Sequence, residues 1–259
     1  MQKLNVTVII VNHNYGRFIQ RAIGSAFYQK TTHNLNIFVV DDCSDDDSWD
    51  IICNTCFNKQ IPIDTEEVVG GKSLAEGKNI FAIRLPKQVG PSEARNIAIE
   101  NTLGISDVYC ILDADDVMRD IKVDMLCNKF LDNPAGIGVV YGDYQIYNEE
   151  MDVITDEYKE PFSRKRLEEE CIVHSGSLIS KQALLDTKED TGFYDRTMRT
   201  CEDYDLWMRI SEKYIIYHVP EILTLVTVHK QNSTYSVDKT IWERNWQRIV
   251  DKTNRRKNV

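Results

Sequence analysis

Apolar runs of strand length alternate with apolar positions at helical spacing along the first 116 residues. Val6 to Val11 is rich in β-branched residues and reads as a buried strand. Phe18, Ile19, Ala22, Ile23 and Ala26 then recur at helical spacing. Ile37 to Val40 repeats the strand signal, and Ser44 to Ser48 offers helix N-caps ahead of Trp49, Ile51, Ile52 and Phe57. Ile80 to Ile83 predicts a third strand. Gly90-Pro91-Ser92 opens a helix carrying Ala94, Ile97, Ala98 and Ile99, and Val108 to Leu112 predicts a fourth strand. This alternation predicts an α/β fold around a doubly wound, mostly parallel sheet. No G-x-G-x-x-G follows the first strand, so the dinucleotide-binding form is not supported.

The pattern changes elsewhere. Gln60 to Lys78 is polar, holds Gly70-Gly71 and reads as a long surface loop. Gly138 to Tyr141 and Tyr144 to Tyr147 predict strands of a mixed sheet. Asp156 to Glu170 is charged and reads as a mobile loop. Asp203 to Lys213 is helical by spacing, and Tyr214 to Val228 supplies further strands. In the tail, Ile241, Trp242, Trp246, Ile249 and Val250 share one helical face, flanked by Arg244, Arg248, Lys252, Arg255, Arg256 and Lys257. Such a helix packs on its own domain or pairs with a second subunit as a homodimer. The alternative is peripheral contact with an anionic membrane surface.

Composition narrows the classes. The 259 residues are 42% hydrophobic, enough for a full core. A net charge of -10 argues against a nucleic-acid binder that relies on phosphate contacts. No apolar run approaches a membrane span, and the N-terminus enters a strand without a signal-peptide pattern. The seven cysteines are scattered. Cys53 and Cys56 form the only C-x-x-C, with no second pair, so free thiols of a cytoplasmic protein are the expectation.

Candidate chemistry lies in three acidic clusters: Asp41-Asp42, Asp113/Asp115/Asp116 and Glu202-Asp203. The first two follow predicted parallel strands directly. Carboxylates at such strand ends sit where α/β sheets bind ligands, and hard divalent cations seek oxygen ligands and substrate phosphates there. A solvated acidic turn is the plain alternative.

Taken in order, several pieces resemble the family 2 glycosyltransferases of the GT-A fold. They are Val8 to Asn14, Ala22 to Ser25 with Gln29, Val39 to Ser44, Gly90 to Asn96, Leu112 to Asp116 and Glu202 to Trp207. Together they span most of residues 4 to 230. The resemblance implies a Rossmann-like nucleotide-diphosphosugar transferase fold, with a glycosyltransferase domain over 1–235 and an amphipathic helix over 236–259. Within the domain, 1–116 would be the nucleotide-binding half and 117–235 the acceptor half. It implies an inverting, metal-assisted transfer from a nucleotide-sugar donor, UDP being the first expectation, to a glycan or lipid-linked acceptor at the cytoplasmic membrane face.

Roles follow from the same resemblance. Asp42, with Asp41, falls in the base pocket, where a carboxylate can accept the ring N–H of uracil. Asn12 and His13 fall beside base and ribose, although for His13 a strand-end histidine bonded to backbone is the plainer reading. Arg95 falls beside the nucleotide. Asp113 would reach ribose or metal, Asp115 would ligate Mn²⁺ or Mg²⁺, and His229 is a further metal or diphosphate candidate. Relatives often carry Arg two residues before that histidine, where this chain has Thr227. Asp116 is a possible cap of the next helix. Asp203 matches the catalytic base and Glu202 a residue that orients loop or acceptor. His174, Gly176 and Trp207 fall near the donor sugar or acceptor. A sugar-nucleotide nucleotidyltransferase would need a Gly-rich basic loop after the first strand, which Val11 to Gly16 lacks. A non-catalytic nucleotide- or glycan-binding subunit would tolerate a broken acidic set, and this set is intact.

Overall fold

Five consecutive buried positions in Val6–Ile10 leave the first strand, β1 (Asn5–Asn12), no solvent face except near its ends. It must therefore lie inside a sheet covered on both sides. The computed structural model describes residues 2–57, 69–72 and 78–257, and it places β1 between two parallel neighbours. After β1 come α1 (Gly16–Phe27), β2 (Asn34–Asp41), α2 (Ser48–Phe57), β3 (Val69–Lys72), β4 (Lys78–Arg84), α3 (Pro91–Thr102) and β5 (Val108–Asp113). Strands β4, β2, β1 and β5 run parallel in that order, which is the predicted doubly wound half. The register sets Asn12 opposite Asp41 and Val11 opposite Asp113, so the acidic strand ends lie level at one sheet edge.

The second half continues the same sheet with mixed directions. Its elements are β6 (Val117–Met118), α4 (Lys122–Leu131), β7 (Ile137–Tyr147), β8 (Val153–Glu157), α5 (Arg164–Glu169), β9 (Leu178–Ser180), α6 (Lys181–Asp186), α7 (Glu202–Ile210), β10 (Ile215–Thr227), α8 (Ser233–Ser236) and α9 (Lys239–Lys257). Short β9 joins the halves by pairing antiparallel to both β5 and β7. β10 runs parallel to β7 with register shifts and pairs antiparallel to β6. One apolar cluster packs α1, α2 and α4 on one face, and a second packs α3, α6, α7 and α9 on the other. This is the mixed α/β architecture that the sequence pattern implies.

Several expectations need correction. The loop expected over 60–78 contains strand β3, antiparallel to β4, while 60–68 and 73–77 lie outside the described residues. The two short strands expected at 138–141 and 144–147 are one strand, β7. The charged 156–170 stretch includes the end of β8 and helix α5, which Ser163 caps by accepting from the Arg166 amide. Helix α9 forms where expected, but its inward face is Asn245, Ile249 and Thr253 rather than the tryptophan stripe, and Trp246 is 42% exposed. The rotation has a physical reason. Asn245 donates to Thr200, and Arg248, Lys252 and Arg256 reach carboxylates of the same domain. Much of the basic charge that the membrane alternative would turn outward is engaged in these pairs. No described helix is long and apolar enough to cross a membrane.

Candidate active site

Three acidic turns and one buried arginine define the site. The first turn follows β2. Asp41 is fully buried and its oxygens accept from the Asn12 amide at 2.9 Å, the Ser44 hydroxyl at 2.5 Å and the Ser44 backbone N–H at 3.2 Å, with Arg84 Nε 3.5 Å away. Asp42 accepts from the backbone N–H of Val89 at 2.7 Å and of Gly90 at 2.8 Å, one per oxygen. Gly90 sits at φ +90, a conformation that favours glycine, and Pro91 then starts α3 at its first position. Asp42 thus ties the loop that launches α3. His13 lies half-buried, with Nδ1 donating to the Asp42 carbonyl at 2.8 Å. Of the residues expected in the nucleotide pocket, Asn12 and Asp41 are turned inward on each other; Asp42 and His13 lie at the turn itself.

Helix α3 carries Arg95 beneath the sheet edge. Its guanidinium donates to Asp113 at 2.8 Å and to Glu202 at 2.5 Å and lies over the Tyr194 ring. Burial works against the Arg95 charge, but Glu202 and Asp113 outweigh it and hold the group more firmly protonated than usual. Arg95 therefore joins the end of β5 to the start of α7, whose Glu202 lies 107 residues beyond Arg95 in sequence. Asp113 also accepts from the Ser175 hydroxyl at 3.1 Å. The neighbouring His174 accepts the Gly176 N–H on Nδ1 and packs against Tyr144. Burial, with the Lys122 ammonium nearby, pulls His174 down to about 3, so the imidazole stays neutral at pH 7.

Asp203, beside Glu202, is half-buried and accepts from the backbone N–H of Tyr204 at 2.7 Å. Burial and then the Glu202 carboxylate push its acid up to about 7. Cys201, in front of the pair, holds φ +60, a left-handed backbone uncommon outside glycine. Trp207, four residues on, is fully buried in the core, so it packs the helix and does not line the pocket as expected.

Asp115 occupies the turn after β5. Its Oδ2 accepts from His229 Nε2 at 3.0 Å and from Asn232 at 2.9 Å. His229 Nδ1 accepts the Gln231 N–H, so the ring proton sits on Nε2, and Phe18 stacks on the ring at 4.6 Å. In this arrangement His229 orients Asp115; it would have to lose that proton to become a metal ligand. The oxygen donors are of the kind a hard cation takes: Asp115 Oδ1 stands outside these bonds, and the Asp115 and Asp113 charges act on Asp116. Burial, then the Asp115 and Asp113 charges, raise Asp116 well above the carboxylate range. Asp116 does not cap a helix. It accepts the Thr227 N–H at 3.0 Å and so fixes the end of β10.

Lys122 is the residue that sequence reasoning passes over. It is 1% exposed, donates to Thr224 at 2.7 Å and lies near Asp113 and Asp116, while burial lowers its pKa. A lysine at the start of a helix carries no sequence signal of burial. Ser175, Tyr194 and Asn232 were also missed as partners, although Asn232 stands three residues past His229.

The glycosyl transferase family 2 model matches residues 7–187. The chain is 23% identical over 253 residues to an uncharacterised glycosyltransferase of Haemophilus influenzae, covering 95% of this chain and 74% of that protein. It is 23% identical over 232 residues to a chondroitin synthase of Pasteurella multocida, covering 88% of this chain but only 21% of the synthase. Among solved structures, S. aureus TarS 1–349 in complex with UDP-GlcNAc matches with TM-score 0.66 and 16% identity, over 92% of this chain and 62% of that one. Mannosyltransferase PcManGT from Pyrobaculum calidifontis, with GDP-Man and Mn²⁺, matches with TM-score 0.63 and 14% identity, over 90% and 59%. At these identities the structural likeness is one of fold, the GT-A fold, and the chain spans about three-fifths of each solved neighbour.

Proposed function

The chain belongs to glycosyl transferase family 2, and from that premise we propose that it moves a sugar from a UDP-sugar to a hydroxyl of a glycan or lipid-linked acceptor, with inversion and with help from Mn²⁺ or Mg²⁺. One observation carries the reading. A carboxylate raised to about 7, Asp203, stands beside the Arg95 bridge that ties Glu202 to Asp113. A group with that affinity can take a proton near neutral pH.

In this reading Asp42 and His13 receive the base, and Asn12 with Asp41 keep their turn rigid. Asp113 and Asp115 would hold the metal, with His229 and Asn232 orienting Asp115. When bound, the metal offsets the diphosphate charge as the leaving group departs. The acceptor oxygen forms its bond to the anomeric carbon on the face away from the diphosphate. Asp203 takes the hydroxyl proton while the anomeric C–O bond breaks and its electron pair leaves with the nucleotide. One displacement with one base gives inversion, by the logic that separates inverting from retaining glycosidases. Glu202 holds Arg95, and His174 with Gly176 borders the sugar. Residues 1–116 then bind the donor, 117–235 meet the acceptor, and 236–259 form the supporting helix. Structural neighbours bound to UDP-GlcNAc and GDP-Man, and the similar synthases of Pasteurella multocida, support a sugar-nucleotide donor and a glycan product.

The test is a panel of UDP- and GDP-sugars, followed by release of free nucleotide with Mn²⁺ and with EDTA. Metal-dependent release from at least one UDP-sugar is expected. Release from none, or release indifferent to EDTA, contradicts the reading.

A further inference from the structure

A second cluster of acids lies behind α7, away from the pocket. Glu189, Asp195 and Asp205 bring carboxylate oxygens within 4.8 Å of one another, a grouping that a divalent cation could fill. Here a side chain fills it. Lys252 Nζ of α9 lies 2.6 Å from Glu189, 3.1 Å from Asp195 and 2.8 Å from Asp205. The ammonium donates to Asp195 in hydrogen-bond geometry and meets Glu189 and Asp205 as ion pairs. Asp205 and Asp195 are buried, whereas Glu189 is about a third exposed. Burial opposes the Lys252 charge, but Asp205 and Glu189 outweigh it and keep the amine protonated.

The cage connects to the pocket through short links. Asp205 is on α7, one turn from Asp203's end of the helix, and also accepts from Arg209 at 2.9 Å. Arg209 in turn donates to the carbonyls of Thr187 and Phe193. Asp195 adjoins Tyr194, whose ring lies under Arg95. The segment 187–201 is thus held on its inner side by α7 and on its outer side by α9, and it delivers the chain to Glu202 and Asp203. Other contacts dock α9 independently: Ile249 in the core, Asn245 on Thr200 and Arg256 on Glu212.

We infer that Lys252 is a positioning residue, whose ammonium closes this three-carboxylate cage and so holds segment 187–201, with Glu202 and Asp203 at its end, in the pocket wall. Without it, Asp205 still meets Arg209, Asp195 has Arg248 at 3.6 Å and Glu189 has Arg256 at 3.4 Å, but the three acids lose the one cation that lies between them, and the added repulsion is relieved by moving the segment. The part of this inference that concerns turnover rests on the transferase reading.

Lys252→Ala opens the cage, and hydrogen exchange of the full chain, with Ca²⁺ titrated, reads the result. Exchange over 187–205 should quicken about tenfold or more, with β1 and β2 unchanged. Millimolar Ca²⁺ should slow it again in the variant and leave the wild-type chain unaffected, because carboxylate oxygens suit that ion. In steady-state kinetics, kcat should fall at least about tenfold while the donor KM stays within about threefold, the pattern of a displaced catalytic group rather than lost binding. Should Lys252→Ala not fold, Glu189→Gln keeps Lys252 and both buried acids; quicker exchange confined to 187–205 is again expected. Unchanged exchange there overturns the cage. Protection lost along all of α9 makes Lys252 a docking residue and overturns the local role. Quicker exchange with normal kcat overturns the link to the pocket. A wild-type chain that acts on no sugar nucleotide overturns the transferase reading instead, and the cage is then judged on exchange alone.

Discussion

Two of the acidic turns of the site, Asp41-Asp42 after β2 and Glu202-Asp203 at the start of α7, look alike in sequence and differ in chemistry. Each adjoins a cysteine in a left-handed backbone, Cys43 at φ +57 and Cys201 at φ +60. In the first turn every carboxylate oxygen accepts a hydrogen bond from Asn12, Ser44, Val89 or Gly90. In the second, Arg95 satisfies Glu202, while Asp203 has a single amide near it and a like charge beside it. An acid whose oxygens are met braces the fold; an acid that is buried beside another stays close to its proton and can exchange it.

The largest expected departure comes from the metal candidate. Asp115→Ala should cut transfer on the order of 10³-fold and weaken UDP binding in Mn²⁺ or Mg²⁺, since metal charge stabilisation is worth several kcal/mol. Nucleotide affinity indifferent to both EDTA and this substitution would remove Asp115 from the account.

Next is the bracing turn. Asp42→Ala leaves the amides of Val89 and Gly90 without their acceptor and removes the expected partner of the base. Unfolding free energy and UDP affinity should each fall by about 1–3 kcal/mol. Equal affinity in a calorimetric titration would confine Asp42 to bracing and sharpen the contrast between the turns.

The smallest effect tests the backbone. Cys201→Gly relieves a left-handed residue at some cost in chain entropy, so stability should change by about 1 kcal/mol or less. Turnover should drop if that turn's rigidity serves Asp203. A gain in stability with no change in turnover would make the conformation incidental.

The sequence announced what repeats and withheld what closes. Parallel strands β1, β2, β4 and β5 are legible because burial on both faces forces unbroken apolar runs such as Val6–Ile10. Strand β9 is not, since Leu178–Ser180 is three residues long and gets its place from neighbours on either side. Candidates at strand ends were legible because position and charge coincide, and Arg95, Asp113 and Glu202 do meet. Their partners were hidden: Lys122 and Tyr194 act through contacts distant in sequence, and nothing local marks a lysine as buried. Trp207 misled because a residue beside an acidic motif can face the core as easily as the pocket. The α9 stripe misled because ion pairs and a buried asparagine, not tryptophans, choose the inward face.

The pH dependence of transfer, measured beside Asp203→Asn, tests the central claim most directly. A raised acid in the folded chain favours its neutral form, so its stabilising contribution is fully present below about pH 3.8 and is lost as pH rises through about 7. Catalysis has the opposite sign, because a base must be ionised. The account predicts that kcat rises with pH to a plateau with a midpoint near 7. It also predicts that Asp203→Asn lowers the plateau by roughly 10²-fold or more and leaves UDP affinity unchanged. A variant that keeps wild-type turnover, or the same rising limb, would contradict it.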